Sequence, residues 1–356
     1  MKILIPIWGF GKSGGNRVLS NIANNWIANG HEVTFVSYLK KCKPYYPINA
    51  KIIWIDKTGD ELKENLNNNE HEKMSLLAIK RFLKKNSNKF DIILANYNLT
   101  AYNVWLGSTA KNYYYIQAYE PEFYSFTSIK GFIQKSLAWL TYFLPLTRIV
   151  NADIYKKYKN IRSKYVIPPG LDLDIYYPKK LKYENKDEII VGCIGRKEEF
   201  KGSEDVAVAV KILHDKGYNV KFKVAFNPVN YEKHELVHPD GDENLADFYR
   251  SLDILIAPGH IQLGAIHYPV IEAMACNVPV VTTGYYPANN ENSFIVPVKR
   301  PDKIAETIEM IINDYSIAMK KAEKARKDIQ QFDWKIVSKK FIDIFEEAIT
   351  KNNSRK

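Results

Sequence analysis

The chain has 356 residues, 46% of them hydrophobic, which is enough for two domains that each bury a core. Its formal net charge is +11: Lys and Arg outnumber Asp and Glu by 24 to 13 in residues 1–178, and the two classes match at 27 each in residues 179–356. Three far-apart cysteines, Cys42, Cys193 and Cys276, exclude a C-x-x-C zinc site and a disulfide framework, and fit a reducing cytosol.

The first run, MKILIPIW, is strand-like, and too short and wrongly flanked for a signal peptide. Val18, Leu19, Ile22, Trp26 and Ile27 come next with helical spacing, Gly30 closes that helix, and EVTFVS is the next strand. GKS hints at a P-loop, but the glycine that motif needs falls on Pro6. Gly9, Gly11 and Gly14 match a dinucleotide fingerprint, yet the second strand ends in Ser37 and Tyr38 instead of an acid. Residues 51–55 read as a strand, 61–89 as a charged helix with a loop at 67–69, and 90–96 as a buried strand.

YYYIQAY (113–119) is a strand whose end should meet ligand, because open parallel sheets bind at their carboxyl edge. Gln117 and Glu120 are the candidates there; the plainer reading of Glu120 is a turn shaped with Pro121. Residues 128–150 are amphipathic and aromatic-rich, with Lys130, Lys135 and Arg148. A core helix is the default expectation and a membrane-facing helix the alternative. No uncharged apolar run approaches the roughly 20 residues of a spanning helix, and the longest, 136–147, contains Pro145.

Asp172-x-Asp174 and Asp240-Gly241-Asp242 are formal D-x-D motifs and read as turn residues. IIVGCIG is a strand that ends in Gly195-Arg196, with Lys201-Gly202 close behind and Ser203 as an expected N-cap. A guanidinium and an ammonium at that edge suit a diphosphate. Residues 252–283 read as strand, loop, helix and strand. Pro269 opens the helix, Asn277 closes it, and its N-terminus suits a phosphate. Glu272 lies one turn in, within reach of a sugar hydroxyl. Helices fill 303–330.

PVIEAMACNVPVV resembles the second half of the signature of family 4 glycosyltransferases, E-G-F-G-L-P-V-L-E-A-M-A-C-G-T-P-V-V. The first half departs: Gly264 stands at the first glutamate and His267 at the second glycine. Gly195-Arg196 with Lys201-Gly202 resembles that family's G-R-x(4)-K-G, VIPPGLD its linker, and Gly14-Gly15 its glycine loop. Gln117, Tyr119 and Glu120 partly match the Q-D-Y-E of a rhamnosyltransferase-like subgroup, from which Ala118 departs.

The resemblance implies an α/β GT-B fold, two Rossmann-like domains facing across a cleft. Residues 1–165 form an acceptor domain, 166–187 a linker and 188–331 a nucleotide-sugar domain, while 332–356 pack back on the first domain. It implies a retaining glycosyltransferase, hexosyltransferase-like, that makes cell-surface polysaccharide or lipid-linked glycan. Arg196, Lys201, Glu120 and Gln117 are the expected catalytic set. Gly14, Gly15, Gly195, Arg196, Lys201, Ile266, His267, Tyr268, Pro269 and Glu272 are expected on the donor. No metal or other cofactor is expected. The expected partners are a nucleotide-sugar and a glycan or lipid-linked acceptor, with no nucleic acid, since no motif for it stands in the sequence. The basic N-terminal half is either a solvated surface or the approach to an anionic membrane, which makes the expected location cytoplasmic or peripheral on the inner face. Two other classes stay open: an inactive GT-B binding module, given Gly264 and Ala118, and an NAD(P) oxidoreductase, given Gly9, Gly11 and Gly14.

Overall fold

The computed structural model describes residues 1–38, 44–62, 75–124, 128–178 and 188–353. Cys42, the loop at 67–69 and residues 179–187 of the expected linker lie outside the described residues. The chain divides into two compact units, Met1–Gly170 with Trp334–Lys356, and Leu171–Asp333.

Unit 1 alternates strands and helices: β1 (Lys2–Pro6), α1 (Gly14–Ala28), β2 (Glu32–Ser37), β3 (Lys51–Trp54), α2 (Ala78–Asn86), β4 (Ile92–Ala95), α3 (Asn98–Gly107), β5 (Lys111–Ile116), α4 (Ile129–Leu140), β6 (Thr147–Val150) and β7 (Tyr165–Val166). The strands form one parallel sheet in the order β3-β2-β1-β4-β5-β6-β7. Both of its faces are covered, which is why β1 and β4 read as unbroken apolar runs. α1 starts behind Ser13, whose hydroxyl accepts the Asn16 N–H, and Gly30, at a φ of 82°, lies just past its end. It buries Val18, Leu19, Ile22, Ala23 and Trp26 against one face of the sheet.

Unit 2 repeats the plan with β8 (Ile189–Gly195), α5 (Ser203–Asp215), β9 (Val220–Phe226), β10 (Glu235–Val237), α6 (Gly241–Arg250), β11 (Ile254–Ala257), α7 (Tyr268–Ala275), β12 (Val280–Thr282), β13 (Phe294–Ile295), α8 (Pro301–Asn313) and α9 (Tyr315–Asp328). Its parallel order is β10-β9-β8-β11-β12-β13. In both units the strand order reverses beside the first strand, between β1 and β4 and between β8 and β11. Such a reversal opens a crevice at the carboxyl edge of a doubly wound sheet.

The last helix, α10 (Trp334–Asn353), belongs to unit 1 and lies against α1. Trp26 Nε1 donates to the Ser338 carbonyl at 3.0 Å, and Phe341 and Phe345 meet the indole edge-on at 5.7 Å. Truncating a buried aromatic of this kind costs about 3–5 kcal/mol.

Two expectations need correction. α4 is not a core helix: of its twelve residues only Gly131 and Ala138 are buried, while Ile129 is 82% and Phe132 55% exposed. The helix seats through its small residues on α3 and on the 3-10 turn Glu120–Phe123, and the Tyr102 O–H donates to the Leu137 carbonyl. The core reading holds for the residues after it, since Tyr142, Leu144, Leu146 and Val150 join the second core of unit 1. Nor does Ser203 cap α5. Gly202 takes the cap position with a φ of 75°, and the Ser203 hydroxyl closes instead on the backbone N–H and carbonyl of Arg196.

Glu120 is wired into this fold. Its Oε2 accepts the Asn98 N–H at the start of α3, its Oε1 accepts the Tyr114 O–H, and its own N–H donates to the Tyr142 hydroxyl. Burial outweighs these hydrogen bonds and pushes its carboxyl up to about 7 from the usual 4.5. A carboxyl raised on folding stabilises the fold fully below its unfolded pKa, and that stability is lost as pH rises through the folded value. The melting temperature of the wild type should therefore fall between pH 4.5 and about 7. Glu120→Gln should flatten that slope, and equal slopes in thermal scans across pH would refute the assignment.

Candidate functional site

Each unit carries a pocket at its own switch point. In unit 2, Arg196 comes directly after β8, Pro258 directly after β11, and His267 and Pro269 stand at the start of α7; these and Lys201 line one pocket. The chain reaches this convergence through close backbone approaches. A Cβ on Gly195 would lie 1.7 Å from the Asn227 carbonyl oxygen, and one on Gly202 would lie 2.4 Å from that of Pro258. The loop after β11 is tied down as well: His260 Nε2 meets Asp205 Oδ2 at 2.6 Å, and the Tyr285 O–H donates to the Ile261 carbonyl at 2.9 Å.

The charges here are unbalanced. Among the described residues neither Arg196 nor Lys201 has an ion-pair partner, and the aromatic rings of Phe226 and Phe200 lie beneath them. Burial, with Arg196 second, lowers the pKa of Lys201. His267 stacks on Tyr285 at 4.4 Å, and burial, then the two cations, push its pKa down to about 3. Its imidazole is therefore neutral at ordinary pH, and its Nδ1 is buried without a hydrogen-bond partner. A buried polar atom left unpaired beside two cations is an arrangement suited to a polar anion.

The other expected donor residues are dispersed. Glu272 is 2% exposed in the interior of α7 and accepts the Tyr249 O–H at 2.8 Å. Gly264 has a φ of 87° and donates its N–H to the Gly284 carbonyl. Ile266 bridges to Tyr286, and Tyr268 is the first residue of α7, with Pro269 second. Both D-x-D motifs are turns: the Asp174 N–H donates to Asp172 Oδ1, and Asp240 is the N-cap of α6. Among the described residues no group of three His, Cys, Asp or Glu is placed to hold a metal.

In unit 1 a cavity of about 320 Å³ opens where β1 and β4 part. Gly15, Gln117 and Glu120, all expected site residues, line it, together with Trp8, Asn96, Tyr97 and Phe123, which sequence reasoning missed. Trp8 and Asn96 stand just past the ends of β1 and β4, so the rule that ligands bind beyond the strand ends at a switch point could have found them. Gly15 has a steric reason as well: a Cβ there would come within 3.1 Å of the Gln117 amide nitrogen. Gly14, beside it, faces open space.

Residues 188–314 match the family model described as Glycosyl transferases group 1. The capsular polysaccharide biosynthesis glycosyltransferase CapM of Staphylococcus aureus is 27% identical over 207 residues, 51% of this chain and 54% of CapM. The chain thus spans about half the length of the curated relatives it matches. Among solved structures, sucrose-phosphate synthase from Thermosynechococcus elongatus superposes with a TM-score of 0.73 at 17% identity, covering 99% of this chain and 100% of that one. Anabaena Alr3699/HepE in complex with UDP and glucose gives 0.69 at 14%, covering 98% and 100%. Identities this low speak for fold alone, and that fold is two Rossmann-like units of the GT-B type. The second half of the chain is thus similar to the group 1 glycosyltransferases over residues 188–314, and the chain carries the GT-B fold.

Proposed function

We propose that the chain transfers a sugar from a nucleotide-sugar to an acceptor hydroxyl, as a hexosyltransferase-like enzyme that retains the anomeric configuration. The carrying observation is the unit 2 pocket, where two unpaired cations and an unpartnered imidazole nitrogen converge at a switch point. Negative charge builds on the diphosphate as it leaves, and preorganised cations stabilise that charge most when water is excluded. Arg196 and Lys201 supply them, so the reading needs neither a metal nor another cofactor. Glu272, its side chain braced by Tyr249, is assigned to the ribose hydroxyls. The HepE complex with UDP and glucose supports the donor class.

Unit 1 holds the acceptor in its cavity. Trp8 and Tyr97 offer sugar-stacking faces, and Asn96 and Gln117 offer amides. Gln117 is the acceptor-side group of this reading, while Glu120 acts as a positioning residue because both of its oxygens are engaged. The acceptor is a cell-surface glycan or its lipid-linked precursor, met from the cytoplasmic side at an anionic membrane; the basic residues 1–178 and the likeness to CapM support this.

Thermal stabilisation by a panel of nucleotide-sugars, then donor hydrolysis without acceptor, tests the reading, because a ligand that binds only the folded state raises its stability. Binding without turnover would make the chain an inactive binding module. Arg196→Ala and Lys201→Ala should each weaken nucleotide diphosphate binding and lower kcat at least tenfold, about 1.4 kcal/mol. Unchanged kinetics in both variants would sink the clamp.

Gly264 cannot supply the carboxylate that the family signature has at its position, and His267 is the side chain that lines the pocket instead. His267→Ala should raise the donor KM about tenfold, the order of a lost hydrogen bond in a charged site. The donor affinity of the wild type should show no titration near 6.5 from this group, given its lowered pKa. A donor-bound structure with Nδ1 out of hydrogen-bond reach of the donor would reject the role.

A further inference from the structure

We propose that α4 is a membrane-docking element, seating unit 1 on an anionic lipid surface from which the acceptor enters the unit 1 cavity. The helix is inverted for a soluble protein. Gly131 and Ala138, seven residues apart and so on one face, turn inward. Ile129, Phe132, Ile133, Leu137 and Leu140 share the opposite face and are exposed, and Trp139 is exposed with its ring against that of Phe143. Soluble monomers rarely leave so much contiguous apolar surface uncovered unless something docks on it. No helix among the described residues is long and apolar enough to cross a membrane, so the helix lies in the interface plane.

Charge selects the occupant. From Phe123 to Lys164 the sequence carries eight Lys and Arg and one acid, Asp153, which pairs with Lys156. Lys130, Lys157 and Lys159 are exposed. A second copy would bring the same positive charge onto the same face, whereas an anionic bilayer accepts both the aromatics and the lysines. The patch also meets the cavity: Phe123, 60% exposed, lines it, and its 3-10 turn packs against α4. This link to the acceptor rests on the function proposed above; the docking itself does not.

The test is co-sedimentation of the full chain with vesicles of phosphatidylcholine containing phosphatidylglycerol, and with pure phosphatidylcholine. The wild type should bind the mixed vesicles, bind the pure ones far less, and release as salt screens the lysines. The triple variant Ile129→Ser, Phe132→Ser, Leu137→Ser should lose vesicle binding by about tenfold or more. Its melting temperature and its nucleotide diphosphate affinity should stay unchanged, since these side chains are exposed and lie outside both pockets. A wild type that ignores anionic vesicles overturns the proposal, as does a variant that binds them equally well. A dimer in light scattering that the variant breaks assigns the face to a second copy and also overturns it. Nucleotide affinity, read on the same samples, reports separately on the transferase reading.

Discussion

The unit 2 pocket depends on two backbone approaches that leave no room for a side chain. At Gly195 the end of β8 runs against the chain leaving β9, and at Gly202 the start of α5 runs against the chain leaving β11. Residues 196–201 must therefore arch between two fixed points. Arg196 stands at one foot of the arch and Lys201 at the other, so both cations line the same pocket. The Ser203 hydroxyl closes the arch by bonding to Arg196 in both directions. At Gly202 a side chain would clash with Pro258 and would also resist a φ of 75°. The glycines of this motif thus set where the charges stand.

Those charges are held in tension. Arg196, exposed, and Lys201, half-buried, line one pocket without an ion-pair partner among the described residues, and His267 beside them is driven neutral by burial and then by the cations themselves. Like charges this close disfavour one another, which after burial is what lowers the pKa of Lys201, and a diphosphate would relieve that repulsion for Arg196 and Lys201 together. The unit 1 cavity is the reverse case. Its acid, Glu120, is spent on the first N–H of α3 and on Tyr114, which leaves amides and aromatic faces toward the space. One pocket is built for charge, the other for neutral polar surface, although both stand at the same point of the same topology.

The strands were legible because buried parallel strands are short apolar runs: β1, β4, β8 and β11 all appear as such. α7 was legible from Pro269 in its first turn and Asn277 beyond its end, where a φ of 60° closes the helix. The cations were legible because they flank glycines at a strand's carboxyl edge. What escaped was pairing across the chain. Tyr249 reaches Glu272 over 23 residues, and Glu120 reaches back 22 residues to Asn98. Neither separation matches a local period, so neither can be read from spacing. Ser203 escaped for a related reason: its residue type suits a cap, but the arch needed its hydroxyl more.

α4 shows where periodicity stops. Apolar side chains spaced on one face establish that a helix has a face, not which way that face points. The assignment inward assumes that bulk is buried. Here the surface beneath the helix, formed by α3 and the turn Glu120–Phe123, lies close, and the Tyr102 hydroxyl reaches the helix backbone at Leu137. A helix can approach that closely only through its small side, so Gly131 and Ala138 go in and Phe132 and Leu137 go out. The two small residues at a spacing of seven were as visible in the sequence as the large ones. Weighing which face permits the closer approach, and not only which is more apolar, would have turned the helix the other way.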